Sequence, residues 1–137
     1  MAHIQPLEWA AIYAGLNILI LLGLAFGTVR ARRQHKITLG DGGNPQMQRA
    51  MRAHANASEY IPAGIAGITL LALTYPATPL WLLHAVGASL TVGRLAHGIG
   101  LSTGELNLGR MLGTILTWTA FVLLGGGLIF AGVAAQY

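Results

Sequence analysis

The 137-residue sequence has no cysteine and very little charge, and each shortage narrows what the protein can be. Without cysteine there is no disulfide, no thiolate metal site and no cysteine nucleophile. Charged residues make up 9% of the chain, against roughly 25% in a soluble domain. So few cannot cover a water-facing surface, and 54% of the residues are hydrophobic. Acidic groups are the scarcest, with four Asp and Glu against eight Lys and Arg. A net charge of +4 would suggest nucleic acid in a soluble protein. Here the basic residues flank apolar segments, so membrane topology explains them and no nucleic-acid partner is expected. No metal site, repeat or low-complexity tract is expected either.

Apolar runs and glycine are abundant. The 19 glycines are spread through the apolar stretches, as in membrane helices whose packing relies on close backbone approach. The run Leu7 to Val29 is long enough, at about 1.5 Å per residue, to cross a hydrocarbon core of ~30 Å. No basic segment precedes it and it is too long for a signal peptide. It gives way to Arg30, Arg32, Arg33 and Lys36. Thr38 to Asn44, with Gly40, Asp41, Gly42 and Gly43, has the composition of a mobile loop. Asn44-Pro45 reads as an N-cap followed by proline at the first helical position. The second helix is expected over about 45–73, with Pro62 kinking it. A tight turn over Tyr75 to Pro79 leads to a third helix over about 80–99. A polar loop over Gly100 to Asn107 leads to a fourth over about 108–135. The sequence thus predicts a single domain over 1–137, an all-α integral membrane four-helix bundle.

Orientation follows from where the basic residues fall. Arg30, Arg32, Arg33, Lys36, Arg49, Arg52, Arg94 and Arg110 all lie at one end of the predicted bundle. By the positive-inside rule that end is cytoplasmic and both termini are outside, in the periplasm of a bacterial inner membrane.

Ionisable residues within membrane helices are costly and normally face a bundle interior or a wet cavity. The second helix carries the densest set, Arg49, Arg52, Asn56, Glu59 and Tyr60, whose spacings of 3, 4, 3 and 1 place them on one face. The third helix adds Arg94 and His97, three apart and therefore neighbours. An ion-pair network that fixes packing, with Glu59 neutralised by an arginine from another helix, accounts for this set as well as a binding site does. Arg49 and the Arg30 to Lys36 cluster read as topology signals. His3, His35 and His84 read as packing or interface residues. Gly23-xxx-Gly27 and Gly109-xxx-Gly113 are faces for helix contact. No ionisable residue lies near the middle of the first or fourth helix, which disfavours a channel or transporter.

The run from Arg49 to Pro62, with the pattern Arg52-Ala-x-x-Asn56-x-x-Glu59-Tyr60-x-Pro62, resembles the second-helix signature of the MAPEG family. These are membrane-associated proteins of eicosanoid and glutathione metabolism, among them microsomal glutathione transferases and leukotriene C4 synthase. Ala31-Arg32-Arg33 resembles the family's basic junction, and Gly93-Arg94-Leu95-Ala96-His97 the third-helix segment of its bacterial members. The resemblance covers essentially the whole chain. It implies a homotrimer that holds glutathione between subunits near the cytoplasmic face. It also implies a membrane-bound glutathione transferase or glutathione-dependent peroxidase acting on apolar electrophiles or lipid hydroperoxides.

On that resemblance, Arg52 clamps a glutathione carboxylate, Glu59 takes the ammonium, and Asn56 meets the peptide groups. Tyr60 stacks or hydrogen-bonds there, and Arg32 and Arg94 complete the positive field. A thiol with a pKa of about 8.5 is mostly protonated at neutral pH, and a guanidinium beside it stabilises the thiolate. Catalytic relatives carry an arginine for this purpose near the start of the fourth helix. Here Asn107 stands in that place and Arg110 follows three residues later. Arg110, with His97 as a hydrogen-bond donor to sulfur, is the candidate catalytic pair. The alternative is a non-catalytic membrane scaffold of the same fold that binds lipid or glutathione.

Overall fold

The computed structural model describes residues 6–74, 78–104 and 107–134. Among these the chain forms helices α1 (Pro6–His35), α2 (Pro45–Thr74), α3 (Leu80–Thr103) and α4 (Leu108–Ala134), and no strand. By length and composition α1, α2 and α4 can each cross a membrane. The apolar run of α3 is interrupted by Arg94 and His97, and the helix returns the chain between α2 and α4 through short connections. The result is an antiparallel four-helix bundle. His3, the first three residues of the Tyr75 to Pro79 turn, and Ala135 lie outside the described residues.

The ends of the helices show why the chain turns where it does. α1 does not stop at Val29; it runs on to His35, because arginine and glutamine are good helix formers once the apolar run is over. It closes with Lys36 in the left-handed region at φ 55°. The Ile37 N–H donates to the Arg32 carbonyl at 3.0 Å, a Schellman closure. Gly40, Gly42 and Gly43 then turn the chain at positive φ. Asn44 caps α2, its Oδ1 accepting from the N–H groups of Gln46 and Met47, each at 2.9 Å. α2 continues through Pro62 to Thr74.

α3 extends four residues past the expected end, to Thr103. Its last turn is polar, but the Ser102 hydroxyl donates to the Gly98 carbonyl and the Thr103 hydroxyl to that of Ile99. These groups are satisfied inside the helix and do not break it. Gly100 is there for contact, since a Cβ on it would meet the backbone of Gly109 and Arg110.

The apolar core lies toward the uncharged end, where Ala10, Ile68, Leu71, Leu83, Val86 and Leu124 are buried together. Toward the charged end the interior becomes polar. Asn17 is fully buried and donates to the Thr91 hydroxyl at 2.8 Å. α3 and α4 approach most closely through Gly93, Gly100, Gly109 and Gly113, so the expected packing face around Gly109 and Gly113 is used. Gly23 and Gly27 have nothing of the chain within 4 Å of a Cβ position. They serve no helix contact within the chain.

Candidate functional site

At the charged end α2, α3 and α4 enclose an open cleft of about 500 Å³. Its wall on α2 is built by Arg49, Arg52 and Asn56, on the polar face that the spacing predicts, with Gln48 beside them. α3 contributes His97 and Leu101, and α4 contributes Arg110. Three guanidinium groups, those of Arg49, Arg52 and Arg110, line the cleft and give its walls a cationic character, and no carboxylate is among its described lining residues. His97 is 7% exposed, and its backbone presses on Gly113 of α4. A side chain at Gly113 would push His97 out of line.

Behind the cleft lies Arg94, 2% exposed and on the same face of α3 as His97, one turn away. Its Nη1 donates to Asn56 Oδ1 at 2.7 Å and its Nε to Thr117 Oγ1 at 2.9 Å. Thr117 passes its own proton to the Gly113 carbonyl at 2.7 Å, so its oxygen is free to accept from the guanidinium. Arg94 also sits 4.8 Å from the centroid of the Tyr60 ring, a cation–π contact between α3 and α2. Tyr60 is braced in turn by α4: Phe121 meets it edge-on at 5.5 Å, and the Trp118 Nε1–H points to its hydroxyl at 3.4 Å. The buried arginine is held by neutral groups and an aromatic face.

The candidate residues named from the sequence thus divide. Arg52, Asn56, His97 and Arg110 come together on the cleft. Arg94 and Tyr60 stand behind it and position Asn56. Glu59 is exposed on the outward side of α2, on one stripe with Arg52. The ion pair proposed for Glu59 finds no partner among the described residues. Arg32 does not reach the cleft within one chain; its guanidinium donates to the Gly40 carbonyl at 3.0 Å and toward Met51 Sδ at 3.8 Å.

Three residues do more than the sequence alone shows. Arg49 reads as a topology signal, yet it lines the cleft and its Nε is buried without a hydrogen-bond partner. Its place on the Arg52–Asn56 face was the available clue. Thr117 has no sequence signal, because its role exists only through Arg94. Asn107, the departure at the start of α4, is a clasp. Its Oδ1 accepts from the Arg110 N–H at 3.0 Å, capping α4, while its Nδ2 donates to the Gly100 carbonyl at 2.7 Å. One amide thus ties the end of α3 to the beginning of α4 and sets where Arg110 leaves the helix.

A membrane-embedded four-helix bundle with a cationic cleft at one end is the class of protein that these observations define. The MAPEG family model matches residues 10–130. Over 115 residues the chain is 38% identical to inner membrane protein YecN of Escherichia coli K12, covering 84% of this chain and 86% of that protein. The same figures hold for inner membrane protein YecN of Escherichia coli O6:H1. The chain belongs to the MAPEG family and is an integral inner-membrane protein.

Proposed function

We propose that the cleft binds glutathione and activates its thiol, making the protein a membrane glutathione transferase or glutathione-dependent peroxidase. The observation that carries this reading is the convergence of Arg49, Arg52, Asn56, His97 and Arg110, from three helices, on one cleft. Glutathione brings two carboxylates and a thiol. Arg52 and Arg49 are placed to hold the carboxylates, with Arg able to do so in bidentate fashion. The Asn56 oxygen is occupied by Arg94, which leaves its NH₂ to donate to a ligand carbonyl. Arg110, with His97 on the neighbouring wall, supplies positive charge for a thiolate. The sulfur would then add to an apolar electrophile arriving from the bilayer or displace its leaving group. With a lipid hydroperoxide it would take the outer oxygen as the O–O bond breaks, releasing the lipid alcohol. A second glutathione would convert the resulting sulfenic acid to disulfide and water.

The active form in this proposal is a homotrimer. Arg52 and Glu59 lie seven residues apart on α2, two turns along one exposed stripe. Glu59 sits about ten residues deeper than Arg49, roughly 15 Å at ~1.5 Å per residue. A carboxylate at that depth is unfavourable against lipid, and a second copy of the chain over this face would cover it. The same packing is what would bring a neighbour's Arg32 and the Glu59 carboxylate toward a shared ligand.

A second reading is favoured by Asn107, whose amide is fully engaged in helix capping where catalytic relatives carry arginine. In that reading the protein binds glutathione and does not activate it. Calorimetric titration of the detergent-purified protein with glutathione addresses both. Binding that Arg52→Ala weakens at least tenfold supports the site, and absence of binding by the unmodified protein removes both readings.

A further inference from the structure

Two more grooves on the α1 side of the bundle adjoin one another. One, of about 460 Å³, opens at the charged end between α1, the start of α2 and the end of α3, with Arg30, Gln34, His35, Gln46 and Arg49 on its walls. The other, of about 420 Å³, runs down between α1 and α3 and is lined by Leu16, Leu19, Ile20, Leu95 and Ile99. Gly23 and Leu24 line both, which makes them one continuous trough. It is polar and cationic at the top and mostly apolar below, where Thr91 and the buried Arg94 are the polar lining residues, and no described carboxylate lines either part.

We propose that this trough is a site for one anionic phospholipid, its phosphate between Arg30 and Arg49 and an acyl chain lying along Leu16, Leu19, Leu95 and Ile99. The depth fits. Arg30 directly follows the apolar run of α1, where lipid head groups lie, and Leu16 is about 21 Å further along the helix at ~1.5 Å per residue. That is beyond the ~15 Å thickness of one leaflet of a ~30 Å core, so one acyl chain is accommodated along its length. The charge fits as well, since basic pockets between membrane helices at the interface select anionic head groups. The Arg49 Nε is buried and unpartnered, and a phosphate oxygen would supply the acceptor. Gly23 and Gly27, which pack against nothing in the chain, keep the trough open at the junction.

A second copy of the chain suits this surface less well. A neighbouring helix would cover the leucines, but among the described residues it offers both guanidinium groups little acid. Glu59 lies about 15 Å deeper (at ~1.5 Å per residue), and the Asp41 carboxylate already accepts from the Gly43 N–H at 2.9 Å. The trough adjoins the cleft of the thiol reading but opens on the other side of α2. Arg52, Asn56, His97 and Arg110 do not line it, while Arg49 lines both and Arg94, behind the cleft, reaches the lower trough.

Native mass spectrometry of the protein, released from detergent with phosphatidylglycerol or phosphatidylcholine added, tests the proposal. The expected result is one retained phosphatidylglycerol per chain, preferred about fivefold or more over phosphatidylcholine. Arg30→Gln removes the preference, and Gly23→Leu, which fills the junction, removes retention of both lipids. Lys36→Gln, exposed at the same end but outside the trough, leaves the preference intact. Equal retention of the two lipids by the unmodified protein would overturn the proposal. So would a loss in Lys36→Gln as large as that in Arg30→Gln, which would indicate diffuse surface charge. A Gly23→Leu protein that changes its oligomeric state while keeping its lipid would make a second copy the occupant.

Discussion

Arg94 of α3 donates to the side-chain oxygen of Asn56 on α2 at 2.7 Å, so the asparagine amide has only one orientation available. A guanidinium can donate and never accept, which forces the oxygen inward and the NH₂ toward the cleft. The buried cation and the ligand-facing amide are therefore one unit.

Replacing Arg94 with Lys tests that unit. The ammonium keeps the charge but cannot reach Asn56 and Thr117 with the same planar geometry. The expected loss of stability is about 1–3 kcal/mol, toward the lower end if membrane hydrogen bonds are as weak as in other bundles. Thermal unfolding in detergent, followed by circular dichroism, measures it. For ligand affinity, Arg94→Lys and Asn56→Ala are expected to be non-additive, because both act through one amide. Independent effects in the double variant would separate the two residues.

Asn107 is predicted to be a structural clasp with consequences for Arg110. Asn107→Ala loses the α4 cap and the bond to Gly100, costing about 1 kcal/mol for the cap alone. Asn107→Asp keeps an acceptor for the Arg110 N–H but cannot donate to the Gly100 carbonyl, and so falls between. Unfolding temperatures that order unmodified protein, Asp, Ala are the expected result. Indistinguishable Asp and Ala variants would show that the cap contributes nothing.

Gly113 has a different requirement. A Cβ there would meet the His97 backbone and the Gly93 carbonyl, neither of which can swing aside. Gly113→Ala is expected to destabilise by about 1–3 kcal/mol through overpacking. Gly125, with nothing of the chain within 4 Å of a Cβ, is the control. Gly125→Ala should leave the unfolding temperature unchanged or slightly higher, since alanine is the better helix former. Equal losses at the two positions would contradict the close α3–α4 approach.

The bundle was readable because its signals are local. Asn44-Pro45 marks the start of α2 by chemistry that the two capping hydrogen bonds then realise. The end of α3 was not readable in the same way. Gly100, Ser102 and Thr103 have loop composition, and only the presence of α4 against Gly100 shows why a glycine belongs inside that helix. The α2 face is visible from spacing, and Arg52 and Asn56 of that face lie on the cleft. Spacing does not reveal what stands across from a face. It could not show that Arg94 would face Asn56, Thr117 and Tyr60 in place of a carboxylate. Nor could it show that Arg32 turns back to Gly40 within its own chain.

The central claim is that the cleft stabilises a thiolate, and the ultraviolet difference spectrum on adding glutathione to detergent-purified protein tests it most directly. The account predicts a thiolate band near neutral pH that Arg110→Ala abolishes while calorimetry still detects bound glutathione. Glutathione bound by the unmodified protein with no thiolate band, or a band of full strength in Arg110→Ala, would contradict it.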